Sequence, residues 1–175
     1  MDLIKADYNT VIKFGNKEDL LSKIEMENKT ISDIINIPDK NGVSLLEKAL
    51  ISRKFEIAQF LLDCGAEVNI VSIEGCNEFH YIAANINSVG AVDVAYELLD
   101  KGVDLSKKEK KFGNTALFTL CQEVLKRRST EGIKFICKCL QSKPNVDENN
   151  KLGYNVRKIL EERGTDEMKN LLEEI

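Results

Sequence analysis

The chain carries one imidazole, His80, and five thiols, Cys64, Cys76, Cys121, Cys137 and Cys139. These are the side chains that could serve as base, nucleophile or metal ligand. A general base acts on a nucleophile or acid within hydrogen-bond reach, and no constellation around His80 supplies one. Cys137 and Cys139 stand two apart inside a helical pattern, so they do not share a helix face. No second Cys or His cluster completes a tetrahedral zinc set. The odd number of cysteines lacks the spacing of a disulfide framework; in a reducing compartment they are expected as small buried hydrophobes or exposed thiols. There is no phosphate-loop glycine pattern and no Gly-x-Ser-x-Gly elbow. The expectation is a non-enzymatic chain with no catalytic residue, metal or cofactor.

Charge is the next candidate for function. The 175 residues sum to a net charge of −4, with 43% hydrophobic and 31% charged residues. An acidic balance argues against nucleic acid as the main ligand, because phosphate binding normally shows as a basic excess. No apolar run approaches the roughly 18 residues of a membrane helix, and Met1 to Asp7 has no apolar signal core, so a cytoplasmic, membrane-free protein is expected. Locally the signs separate. Lys107, Lys108, Lys110 and Lys111 surround only Glu109, and Lys126, Arg127 and Arg128 follow. They read either as a solvated surface or as a docking patch for an acidic partner. From Glu161 onward, Glu161, Glu162, Asp166, Glu167, Glu173 and Glu174 outnumber Arg163 and Lys169.

The elements that must position these residues repeat. Gly42 and Gly75 stand 33 residues apart, each inside a similar run: Asp39-Lys40-Asn41-Gly42-Val43-Ser44-Leu45-Leu46, and Ser72-Ile73-Glu74-Gly75-Cys76-Asn77-Glu78-Phe79-His80. A period of this length signals stacked supersecondary units. Within 39–71, Gly42 suits a tight turn and Ser44 can cap the next helix. Leu45, Leu46, Ala49 and Leu50 recur at helical spacing, as do Ile57, Ala58, Phe60, Leu61 and Leu62 after a polar break. Gly65 then supplies a helix end. Each unit reads as turn, short helix, turn, longer helix, loop.

These residues resemble the ankyrin repeat, whose pattern runs Asp-x-x-Gly-x-Thr-Pro-Leu-His-x-Ala-Ala and later Leu-Leu-Leu-x-x-Gly-Ala-Asp-Val-Asn. Asp39, Gly42, Ser44, Leu46 and Ala49 match the first part; Leu61, Leu62, Gly65, Ala66, Val68 and Asn69 match the second. Leu45 replaces Pro and Glu47 replaces His, which predicts a less firmly fixed start for that helix. The resemblance implies an all-α repeat protein: an ankyrin-repeat solenoid of about five helix pairs with short turn or hairpin loops. As one domain over 1–175 it divides into a degenerate N-terminal capping repeat (1–38), a repeat (39–71), a repeat with an insertion (72–109), a repeat with a longer insertion (110–149) and a C-terminal capping repeat (150–175). The insertions, Asn85 to Gly90 and Gln122 to Thr130, exceed the family pattern by about four and about seven residues, and both helices of 110–149 should be extended. Pro144 should end the second of them. His80 falls where the family places a histidine that bonds neighbouring backbone.

The resemblance further implies a monomeric protein-binding module, neither nucleic-acid-binding nor membrane-bound. In such proteins the turn tips and inner helices line a groove. By register the tips are Lys40, Asn41, Val43, Ile73, Glu74, Cys76, Lys111, Phe112, Asn114, Lys151, Leu152 and Tyr154. Ile73, Phe112, Leu152 and Tyr154 have little structural reason to stand there, and aromatic anchors beside cations are typical of binding hot spots. The runs Glu74 to Asn85, Gly113 to Phe118 and Gly153 to Lys158 also resemble small bacterial ankyrin proteins encoded beside toxins. That implies an immunity protein whose partner is a toxin domain; a scaffold or adaptor, or a host-directed effector, is the alternative.

Overall fold

A computed structural model describes residues 3–175; Met1 and Asp2 of the N-terminal unit lie outside the described residues. Those residues form ten α-helices and no named strand, with one isolated antiparallel bridge between Lys108 and Thr115. The helices come in consecutive pairs: α1 (Tyr8–Phe14) with α2 (Lys17–Met26), α3 (Leu45–Ile51) with α4 (Phe55–Asp63), α5 (Glu78–Ala83) with α6 (Ala91–Asp100), α7 (Ala116–Arg127) with α8 (Thr130–Gln141), and α9 (Val156–Arg163) with α10 (Asp166–Glu173). Each pair packs on the next in two layers. The odd-numbered helices follow one another in the first layer, and the even-numbered ones in the second.

Local chemistry fixes the helix ends. At α3, Ser44 Oγ accepts from Glu47 N at 3.1 Å while Glu47 Oε2 accepts from Ser44 N at 2.7 Å. This reciprocal capping box does what the missing Pro and His were expected to do, so the start of α3 is fixed, contrary to the sequence expectation. Helices α7 and α8 are both long, at 12 residues each, as the insertion predicts. Pro144 is not what ends α8. The helix stops at Gln141, and Lys143 makes the reversal with φ of 52° before the proline is reached.

One continuous apolar core runs from Val11 to Leu172. Part of it is aromatic: Phe135 of α8 meets Tyr96 of α6 edge-on at 5.1 Å between ring centroids and Phe79 of α5 at 6.1 Å. Fully burying a side chain of this size is worth about 1.5–3 kcal/mol. In the first pair Val11, Ile12, Leu20 and Ile24 are buried, whereas Phe14 and Leu21 are exposed, because this pair has a neighbour on one side only. In the last pair Ile159, Leu160, Met168 and Leu172 face inward and the acids face water.

Amides hold neighbouring units in register. Asn69 donates to Gly102 O at 2.9 Å and accepts from Asp104 N at 2.7 Å. Asn36, 33 residues earlier, accepts from Glu67 N at 2.9 Å. Inside the first insertion, buried Asn85 donates to Leu50 O and Ile51 O at the end of α3. Asn87 donates to Glu123 O of α7 and accepts from Ser129 Oγ.

Two carboxyls break the pattern of satisfied polar groups. Glu47 and Glu78, on the packed helices α3 and α5, are both completely buried. Glu47 Oε1 and both oxygens of Glu78 have no hydrogen-bond partner. Burial pushes the Glu47 carboxyl up to about 8, against the pull of the Ser44 N–H and with a further push from Glu78. Burial also raises Glu78, against nearby backbone N–H groups. A raised folded-state pKa means the native state holds more protons than the unfolded chain, so stability is lost as pH rises. His80 has a lowered pKa and acts in the opposite sense only below its ordinary 6.5, which leaves pH 6.5–8 as the clean window. In urea titrations the unfolding midpoint should fall across that window. Glu47→Gln keeps an acceptor for the Ser44 N–H and should flatten the fall and raise the midpoint at the alkaline end. An unchanged pH slope in the variant would refute the assignment.

Candidate functional site

Four turns project from the N-terminal ends of α3, α5, α7 and α9, and one device builds all of them. A polar side chain opens each turn and binds backbone N–H groups ahead of it. Asp39 Oδ1 accepts from Asn41 N (2.8 Å) and Val43 N (3.0 Å). Ser72 Oγ accepts from Cys76 N (3.2 Å). The Glu109 carboxylate accepts from Lys111, Phe112 and Asn114 N. Asn150 Oδ1 accepts from Leu152 and Tyr154 N. A left-handed glycine then turns the chain, at Gly42, Gly75, Gly113 and Gly153. These anchors stand three or four residues before the glycine, a signal visible in the sequence but read there only for Asp39. Glu109 in particular is not simply the lone acid of a basic run. Partial burial opposes its ionisation, yet the N–H groups of Asn114, Phe112 and Lys111 hold its carboxyl below the usual range.

The tips are bonded to each other through backbone. Ile73 N donates to Asn41 O at 2.9 Å, Lys110 N to Glu74 O at 2.8 Å, and Lys151 N to Phe112 O at 2.9 Å. Side chains add to this line: Asn150 Nδ2 donates to Asn114 Oδ1 at 2.7 Å, and Lys151 Nζ donates to Lys111 O at 3.1 Å and to Lys110 O. The twelve sequence-predicted residues therefore lie along one continuous edge. Lys40, Asn41, Ile73, Glu74, Lys111, Phe112, Lys151, Leu152 and Tyr154 are exposed. Val43, Cys76 and Asn114 are only half-exposed, because the neighbouring turn covers them.

The exposed apolar members are substantial: Leu152 is 73% exposed, Ile73 54%, Tyr154 48% and Phe112 46%. Lys111 Nζ sits 4.8 Å from the centroid of the Phe112 ring, a cation–π contact. Asn41, Val43, Ile73 and Glu74 surround a hollow of about 330 Å³ whose inner wall includes Ser72 and Tyr81 of α5. The sequence reading did not single out Tyr81; it stands inside α5 between the buried Phe79 and Ile82 and carries no turn signal.

Burial shifts the titratable groups nearby. Burial lowers the pKa of His80. Its Nδ1 lies 3.2 Å from Asn77 N and 2.9 Å from Asn77 Oδ1, and its Nε2 faces Asn114 O at 3.3 Å. This is the contact to neighbouring-unit backbone that was expected of it. Burial pushes the Cys76 thiol up to about 11, helped by the charges of Glu109, Glu47 and Glu74. Cys121, Cys137 and Cys139 are buried, and burial raises all three thiols. Among the described residues no group of three or more His, Cys, Asp or Glu could hold a metal ion, and no helix is long and apolar enough to cross a membrane.

No model of a known protein family matches the chain, and no curated protein matches it either.

The close approach of the tips makes the glycines unequal. A Cβ on Gly75 would meet Lys108 O at 2.9 Å, whereas one on Gly153 has nothing within 4 Å. Both have positive φ, so both alanine variants carry the left-handed penalty of roughly 1–2 kcal/mol. Gly75→Ala should cost visibly more, because backbone must move. Urea unfolding of the two variants checks this; equal losses would mean that adjacent tips yield freely.

Proposed function

We propose that this chain is a non-catalytic protein-binding module of the ankyrin-repeat type, with the row of turn tips as its docking edge. The observation that carries this reading is the exposure of Ile73, Phe112, Leu152 and Tyr154 along an edge whose backbone is already bonded tip to tip. Large apolar side chains held in place without being buried are spare capacity for contact, and aromatic residues beside cations supply much of the energy in protein interfaces. The edge also carries Lys40, Lys110, Lys111 and Lys151 against the single exposed acid Glu74, which favours an acidic partner surface and faster encounter.

The repeat type is supported by the 33-residue pattern, by the paired helices in two layers and by left-handed glycine at each of the four turns. Within the protein-binding class, the resemblance of Glu74 to Asn85 and of Gly153 to Lys158 to small ankyrin proteins encoded beside toxins favours an immunity protein that neutralises a cognate toxin domain.

The test is affinity purification from the native organism with the wild type and with the Phe112→Ala/Tyr154→Ala double variant. Truncation of two anchors should weaken partner binding by about 10-fold or more and leave the thermal midpoint unchanged, since neither ring is buried. A partner retained equally by the double variant would remove the tip edge from the site. A toxin-like partner supports the immunity reading, and a housekeeping or host protein replaces it.

A further inference from the structure

Away from the tips, the two insertions meet and enclose a polar pocket. It has a volume of about 220 Å³ and is lined by Arg53, Ala84, Asn85, Asn87, Ser88, Glu123, Lys126 and Arg127. Three of these side chains are cations and one is an acid. The acid is occupied, since Glu123 is ion-paired with Lys126. Arg53, itself exposed, donates through Nε to Asn85 Oδ1 at 2.7 Å, and its two terminal nitrogens have no acceptor among the described residues. Arg127 has no hydrogen bond or ion pair to any described residue.

The ordinary explanation for cations here is that they cap helix C-termini, since Arg53 follows α3 and Lys126 and Arg127 close α7. The acceptors at both ends are already taken by other groups. Leu50 O and Ile51 O receive Asn85 Nδ2. Glu123 O receives Asn87 Nδ2, Val124 O receives Arg128 N, and Leu125 O receives Arg163 Nη2. Two of these donors, Asn85 and Asn87, belong to the first insertion and also line the pocket. The guanidinium groups of Arg53 and Arg127 are therefore not used up by the fold.

The geometry points to an oxyanion site, and specifically to a dianionic phosphoryl group held between Arg53 and Arg127, the Lys126 charge being taken up by Glu123. Guanidinium matches phosphate oxygens in bidentate fashion, the pocket has room for a phosphoryl group, and its walls are mainly polar. The site shares no residue with the tip edge, so it stands or falls independently of the protein-binding proposal.

Calorimetric titration with inorganic phosphate and, separately, with glycerol 3-phosphate tests it on the full chain. Binding with a dissociation constant of about 1 mM or tighter is expected for the wild type. Arg127→Gln removes a side chain with no structural bond and should weaken binding about 10-fold at unchanged thermal midpoint. Lys40→Gln at the tips should leave binding unaltered. Binding of both ligands means that the pocket accepts phosphate monoesters; binding of inorganic phosphate alone restricts it to the free ion. Absence of binding to either ligand, or equal weakening in Arg127→Gln and Lys40→Gln, overturns the proposal, the latter because it marks non-specific charge attraction.

Discussion

No helix pair in this chain can bury its own apolar surface. Helices α5 and α6 span six and ten residues, and both sides of the pair carry core residues: Phe79 and Ile82 on one helix, Val94, Ala95 and Leu98 on the other. Isolated helices of this length are marginal in water. The pair is held because α3 and α7 cover α5, while α4 and α8 cover α6. Stability is then approximately a sum of unit and neighbour terms, and the ends must be built differently from the middle. The outermost pairs are, with exposed Phe14 at one end and an acidic last helix at the other.

Stacking by apolar faces alone leaves rotation and register between units loosely set. Polar groups set them here on several edges. Backbone bonds join the tips, Asn36 and Asn69 join the loops after the outer helices, and Asn85 and Asn87 join the ends of the inner ones. Glu47 and Glu78 are the exception. They sit in the α3–α5 contact without enough partners, and apolar burial on either side must offset what they cost. Leaving a buried polar atom unsatisfied costs about 1–3 kcal/mol, so this contact is weaker than its packing would allow.

Much of the architecture was legible in the sequence because it rests on glycine, caps and apolar period. Gly42, Gly75, Gly113 and Gly153 each take positive φ, and Ser44 and Thr115 each accept at a helix start. The chain after α8 was misread because Lys143, a residue with no preference for the left-handed region, takes the conformation usually given to glycine. The start of α3 reads as loose against the family pattern, where Glu47 replaces histidine, yet Ser44-x-x-Glu47 is itself a capping-box signal. The tip edge was legible residue by residue, since the register fixes which positions face outward. Its half-covered members Val43, Cys76 and Asn114 were not, because their exposure depends on contacts with the adjacent turn. The pocket between the insertions was invisible for the same reason: Arg53 and Arg127 lie far apart in the chain and line one pocket only after folding.

The tip-to-tip hydrogen bonds run from main chain to main chain, through Asn41 O, Glu74 O and Phe112 O. Side-chain identity at positions 73, 112, 152 and 154 is therefore decoupled from the ladder: exchanging those residues removes none of its bonds. A lineage carrying this chain could drift through many recognition surfaces without crossing a folding barrier. Chemical diversity would collect along that one edge, while the glycines and turn anchors behind it stayed still.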